Sequence, residues 1–242
     1  MMSQTEIGPE GLAERLALVR QRIATSAKRC GHAPEDLTLI AVSKTHPPEI
    51  LQRAIAAGVS DLGENRVQEA DAKITLVGRE RARWHLIGHL QANKARRAVA
   101  LFDVIHSLDS ASLARRLDHL CAEASRAALP VLIQVDLAGE ETKSGVDEDE
   151  LPRMVEAVAA CERLRLSGLM TLPPFFEDAA LARPYFRRLR ELRDALASKG
   201  IFGPGRGELS MGMSHDFEVA IEEGATMVRV GTAIFGARPA VG

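Results

Sequence analysis

The 242-residue chain predicts an α/β fold, a single-domain (β/α)8 TIM barrel of parallel strands. Three observations lead there. Apolar runs of strand length alternate with amphipathic stretches of helical period, a pattern that implies parallel pairing through right-handed crossovers. Eight such runs occur, which is the number that closes a barrel. Hydrophobic residues make up 46% of the chain but aromatic ones only 4%, so the core must be built from Leu, Val, Ile and Ala, as suits a buried parallel sheet covered by helices.

A helix is expected over 11–29, with Leu12, Leu16, Leu18, Val19 and Ile23 on one broad face. The run at 37–43, rich in β-branched residues, reads as the first strand, and Pro47-Pro48 opens a helix that closes at Gly58. Further strands are expected near 60–64, 84–88, 103–108, 130–137, 164–171, 208–213 and 226–231, with helices over 151–161 and 182–196. The Gly203-Pro-Gly-Arg-Gly207 segment reads as a loop before the seventh strand. An open doubly wound sheet competes with the barrel, because periodicity does not separate the two; the absence of a Gly-rich dinucleotide turn after the first strand counts against it. No linker or low-complexity stretch divides residues 1–242, which read as one domain with an N-terminal helix.

A net charge of -2, from 31 basic and 33 acidic residues, provides no field to hold a polyanion, so nucleic acid is not an expected partner. Cys30, Cys121 and Cys161 are far apart and show no metal-binding or disulfide spacing, which favours free thiols in a reducing compartment. The polar segment 1–10 lacks the apolar run of a signal peptide, and no apolar stretch is long enough to span a bilayer. A cytoplasmic protein with no membrane partner is expected.

Barrel sites lie at the C-terminal ends of the strands, so polar residues at strand exits are the candidates. Lys44 ends the first strand, Glu64-Asn65 the second, His85 and His89 flank the end of the third, Ser214-His215 follow the seventh and Arg229-Val-Gly-Thr232 end the eighth. A lysine packed after Leu-Ile-Ala-Val-Ser has its ammonium disfavoured, and a neutral amine is what imine formation needs. Position alone fits better a lysine that leaves the barrel and snorkels to solvent, since surface lysines are far commoner than buried ones. Ser214 together with the amides of Gly231 and Thr232 fits a phosphate site, and fits ordinary capping and a tight turn just as well. The i, i+4 pair His85/His89 falls across a strand end and does not read as a metal site.

The stretches Ile40-Ala-Val-Ser-Lys-Thr45, Gly63-Glu-Asn-Arg-Val-Gln-Glu69, Trp84-His-Leu-Ile-Gly-His-Leu-Gln-Ala-Asn-Lys94, Lys143-Ser-Gly145, Gly168-Leu-Met170 and the run 210–236 resemble, in order, the motifs of the YggS/PROSC family of pyridoxal phosphate homeostasis proteins. These are single-domain relatives of the alanine racemase N-terminal barrel. The resemblance implies that Lys44 carries pyridoxal 5'-phosphate (PLP) as a Schiff base, that Ser214, Gly231 and Thr232 hold the phosphate, and that Arg229 approaches the pyridine nitrogen. Asn65 and His85 resemble pocket-lining positions. His89 departs from the family pattern, where many members have proline.

An arginine at the ring nitrogen cannot accept its proton, so the ring is a poor electron sink compared with PLP enzymes that place a carboxylate there. Racemisation also needs an acid opposite the lysine. In the related racemases that acid is a tyrosine from a further β-domain, whereas the single tyrosine here, Tyr185, falls in an expected helix. The expectation is a PLP carrier without robust catalysis, acting as a monomer, with apo-PLP enzymes as candidate recipients. A racemase or lyase of narrow scope, and a PLP-independent Schiff-base aldolase, are the alternatives.

Overall fold

A computed structural model describes residues 9–139 and 144–236; segment 1–8 and Lys143 of the Lys-Ser-Gly motif lie outside the described residues. Helix α1 (Pro9–Arg29) precedes the first strand. The alternation then runs β1 (Thr38–Val42), α2 (Pro48–Ala56), β2 (Asp61–Glu64), α3 (Val67–Val77), β3 (Arg83–Leu86), α4 (Ala95–Leu101), β4 (Val104–Leu108), α5 (Ala111–Glu123) and β5 (Leu129–Asp136). It continues through a two-residue β6 (Val146–Asp147), α6 (Leu151–Ala159), β7 (Leu164–Met170), α7 (Arg183–Ala197), β8 (Glu208–Met213), α8 (Phe217–Glu222), β9 (Met227–Val230) and α9 (Thr232–Phe235).

The strands are ordered β4-β3-β2-β1-β9-β8-β7-β5, and a further β4–β5 pairing closes the ring. That last pairing decides between barrel and open sheet. Every pairing is parallel. β6 had no counterpart among the expected strands: it only extends the exit of β5, matching Val135 with Val146 and Asp136 with Asp147.

Two apolar layers hold the barrel. Inside, Ile40, Val104, Leu132, Met170 and Met227 pack together. Outside, the helices bury Leu12, Leu16, Trp84, Phe102, Phe186, Phe217 and Phe235 against the strands. The third strand stops at Leu86, short of the expected 88, and two residues on the backbone passes so close to the exit of β2 that a Cβ on Gly88 would lie 2.3 Å from the Asn65 carbonyl oxygen. In the basic stretches 79–83 and 94–97, Arg79 pairs with Asp103, Arg96 with Glu123 and Arg97 with Asp71.

Candidate functional site

The first strand ends at Val42, two residues before Lys44. The expectation that Lys44 itself ends the strand is corrected: Lys44 and Thr45 are the central residues of a tight turn closed by the His46 amide on the Ser43 carbonyl, 3.1 Å. Thr45 has φ 68, a conformation that costs a β-branched residue on the order of 1–3 kcal/mol and persists only when its surroundings impose it.

Those surroundings are a buried ionic cluster. Lys73 Nζ, from α3, donates to the Ser43 carbonyl, to Glu64 Oε1 and to Glu69 Oε1, each at 2.7 Å. Ser43 Oγ donates to Glu64 Oε1 at 2.6 Å. The Thr45 amide donates to Glu69 Oε1 at 2.5 Å. The turn bearing Lys44 is thus gripped on both sides, at Ser43 and at Thr45. Burial pushes the Glu64 carboxyl up, and Lys73 and Ser43 offset this only in part. Lys44 itself is half-buried at the rim.

β1, β9 and β8 are neighbours in the ring, so the exits carrying Lys44, Gly231 and Ser214 fall in one sector. Ser214 Oγ accepts the amide protons of Gly231 at 3.1 Å and Ala233 at 3.3 Å. A hydroxyl that accepts twice has its own proton left to give to an acceptor. Gly231 sits tightly against the first strand, where a Cβ would be 3.3 Å from the Val42 carbonyl oxygen. Thr232 is exposed at the start of α9. On the other flank, after β2, Asn65 Oδ1 is buried and finds no hydrogen-bond partner among the described residues.

Arg229 is buried inside the barrel. Its guanidinium donates to Ser210 Oγ at 2.6 Å and to the Thr171 carbonyl at 2.9 Å, neither of them a carboxylate. Burial pushes its pKa down to about 10, against the opposing field of Asp216, so it remains a cation at neutral pH.

His85 lies inside the barrel. Its ring is fully buried, with Nδ1 2.9 Å from His106 Nε2 and Nε2 2.9 Å from Asp61 Oδ1. Both nitrogens are occupied, so His85 reaches the Arg229 side only through His106. His89 turns elsewhere, to Asp109. Phe176 packs on Tyr185 of α7 with ring centroids 5.9 Å apart, while its neighbour Phe175 is exposed and rests against His215.

Lys73, Asp61 and His106 had not stood out. Lys73 sits in an unremarkable helical stretch, and only its i, i+4 spacing from Glu69 hints at a partner. His106, in Val-Ile-His-Ser-Leu, reads as a core histidine. A separate cavity of about 1130 Å3, lined by Thr38, Arg83, Val104 and Glu208 among others, opens at the opposite end of the barrel, where the strands begin.

The chain matches the family model of the alanine racemase N-terminal domain over residues 15–239. The pyridoxal phosphate homeostasis protein of Aquifex aeolicus is 43% identical to it over 225 residues, covering 93% of this chain and 97% of the relative. That of Escherichia coli is 44% identical over 230 residues, covering 94% and 97%. PipY of Synechococcus elongatus, solved with PLP bound, superposes with a TM-score of 0.79 at 40% identity, covering 93% of this chain and 100% of PipY. With the closed barrel and the strand-exit sector already in view, these matches show that the chain belongs to the alanine racemase N-terminal-domain family, among its pyridoxal phosphate homeostasis proteins.

Proposed function

We propose that the chain binds pyridoxal 5'-phosphate and serves PLP homeostasis, with Lys44 as the amine that holds the cofactor in a Schiff base. The observation that carries this reading is the shared sector of Lys44, Ser214, Gly231 and Arg229, in a chain 40% identical to PipY, whose structure was solved with PLP. The residues fit the group. The Ser214 hydroxyl and the amides around Gly231 and Thr232 suit a phosphate, and the unpartnered Asn65 Oδ1 suits a donor on the ligand. The cationic Arg229 suits a ring nitrogen that carries no proton.

Bound PLP supplies an aldehyde that captures amines and a ring that can withdraw electrons. Arg229 works against the second property while leaving the first intact, and Tyr185, packed on Phe176, is occupied elsewhere. Holding and releasing the cofactor is therefore favoured over racemisation. Residues 1–242 act on this reading as one cytoplasmic, monomeric unit, with apo-PLP enzymes as recipients.

The test is the absorbance spectrum of the PLP-loaded protein before and after borohydride reduction, followed by peptide mapping. The reduced pyridoxyl group should sit on Lys44; label on another residue, or none, would overturn the assignment. Direct delivery is tested by mixing loaded protein with an apo-PLP enzyme. Activation should outpace the measured release of free PLP, and activation no faster than that release would remove direct transfer from the proposal.

A further inference from the structure

A line of polar groups crosses the barrel interior from β2 to β9. Asp61 Oδ1 lies 2.9 Å from His85 Nε2, His85 Nδ1 lies 2.9 Å from His106 Nε2, His106 Nδ1 lies 2.9 Å from Ser210 Oγ, and Ser210 Oγ accepts Arg229 Nη1 at 2.6 Å. His85, His106, Ser210 and Arg229 are buried, so no solvent is available to correct a mismatched link.

The carboxylate end of this line fixes the protons along it, and the arginine end is consistent with the result. Arginine has only donors, and an ionised carboxylate has only acceptors. Asp61 can only accept, so His85 carries its proton on Nε2 and donates to it. A neutral His85 then has a bare Nδ1, which accepts from a proton on His106 Nε2. His106 in turn has a bare Nδ1, which accepts the Ser210 proton, while the lone pairs of Ser210 Oγ receive Arg229. Reversing the histidines would set the bare Nε2 of His85 against the carboxylate, lone pair against lone pair. Charging a ring instead is opposed by burial, which lowers both histidines, His106 the more strongly. The charged groups acting on the two rings from neighbouring strands are Asp61, Arg83, Asp103 and Arg229.

We infer that Asp61, His85, His106 and Ser210 form a one-directional positioning relay that aims the Arg229 guanidinium. This rests on the reading that Arg229 faces the ring of PLP. The relay does two things. It commits the Ser210 proton away from Arg229, so that Ser210 Oγ offers the guanidinium only lone pairs and holds it in one orientation. It also keeps the carboxylate of the line three neutral groups away, so that Asp61 takes none of the remaining N–H donors of Arg229, which are left for a ligand. His85, expected as a pocket-lining residue, is reassigned as a link.

The first measurement uses the full chain without added cofactor, with ring-15N histidine and long-range 1H–15N correlation; peaks are assigned from His85→Gln and His106→Gln. Both rings should show a bare Nδ1 and a protonated Nε2, unchanged across about pH 6–8. A proton on Nδ1 of either ring, or an imidazolium signal, would overturn the relay. The second measurement titrates PLP into Ser210→Ala and Ser210→Thr. Loss of a hydrogen bond to a charged group should weaken Ser210→Ala by about ten-fold or more and shift its absorbance band, with recovery in Ser210→Thr. Unchanged affinity and an unchanged band in Ser210→Ala would overturn the positioning role even with the tautomers as expected. Should the pyridoxyl group map away from Lys44 while the tautomers hold, the cofactor reading fails and the relay stands.

Discussion

Replacing Lys73 with methionine is expected to lower the unfolding free energy by about 3–5 kcal/mol, the usual penalty for removing one partner of a buried ion pair. In a chain of this size that corresponds to a fall in Tm of roughly 10 °C. The ammonium has three protons, and the structure directs them to Ser43, Glu64 and Glu69. Methionine fills similar space but leaves Glu64, whose side chain is 0% exposed, charged and without its cation. The deficit should depend on pH. Burial already raises Glu64, and without Lys73 the rise is larger. A carboxyl whose folded pKa lies above its unfolded value favours folding below the unfolded value, about 4.3, and that advantage fades as pH climbs through the folded value. Lys73→Met should therefore come closer to the parent protein in acid and fall further behind above neutrality. Urea unfolding across pH measures this. The double variant Lys73→Met/Glu64→Gln should regain part of the loss; if it is no more stable than Lys73→Met alone, the stranded carboxylate is not the cause.

Gly168→Ala is expected to be at least as damaging. A Cβ at this position of β7 would stand 2.1 Å from the carbonyl oxygen, 2.6 Å from the nitrogen and 2.7 Å from the carbonyl carbon of Glu208 in β8. These are backbone atoms of a paired strand, Gly168 being in register with Glu208, so no side-chain rotation relieves the clash. Overpacking against yielding neighbours costs about 1–3 kcal/mol; here two strands must part, and about 3 kcal/mol is the lower bound expected. Thermal melts and recovery of soluble protein read the effect. Gly205→Ala is the control, since its Cβ would meet nothing closer than 3.7 Å and its φ is not positive; equal stability of the two variants would show that strand separation is not required.

Much of the fold was legible because strand and helix periods differ and each strand of the ring carries an apolar run. The exits of β1, β8 and β9 were legible for the same reason: polar residues directly after such runs stand out. What was not legible depends on contacts between distant segments. Lys73 looks like any helical lysine until α3 brings it under the Ser43 carbonyl. His106 and Ser210 are 104 residues apart and meet only through ring closure. The turn holding Lys44 was missed because threonine at positive φ has no local signature; it is imposed by Glu69 and Lys73 from α3, beyond the following helix and strand.

Helix α1 has one early partner, the Gly58 carbonyl that Arg20 reaches after α2, and its other partners lie at the far end of the chain. Arg15 Nε donates to the Ile234 carbonyl, 219 residues away, and Arg22 pairs with Glu218 of α8. At translation rates of about 5–20 residues per second, the first helix waits roughly ten seconds or longer for the segment it packs against. During that interval the face carrying Leu12, Leu16, Val19 and Ile23, all buried in the finished barrel, lacks the part of its cover that α8 and α9 supply. The earliest helix of the nascent chain, made first, therefore completes its docking among the last.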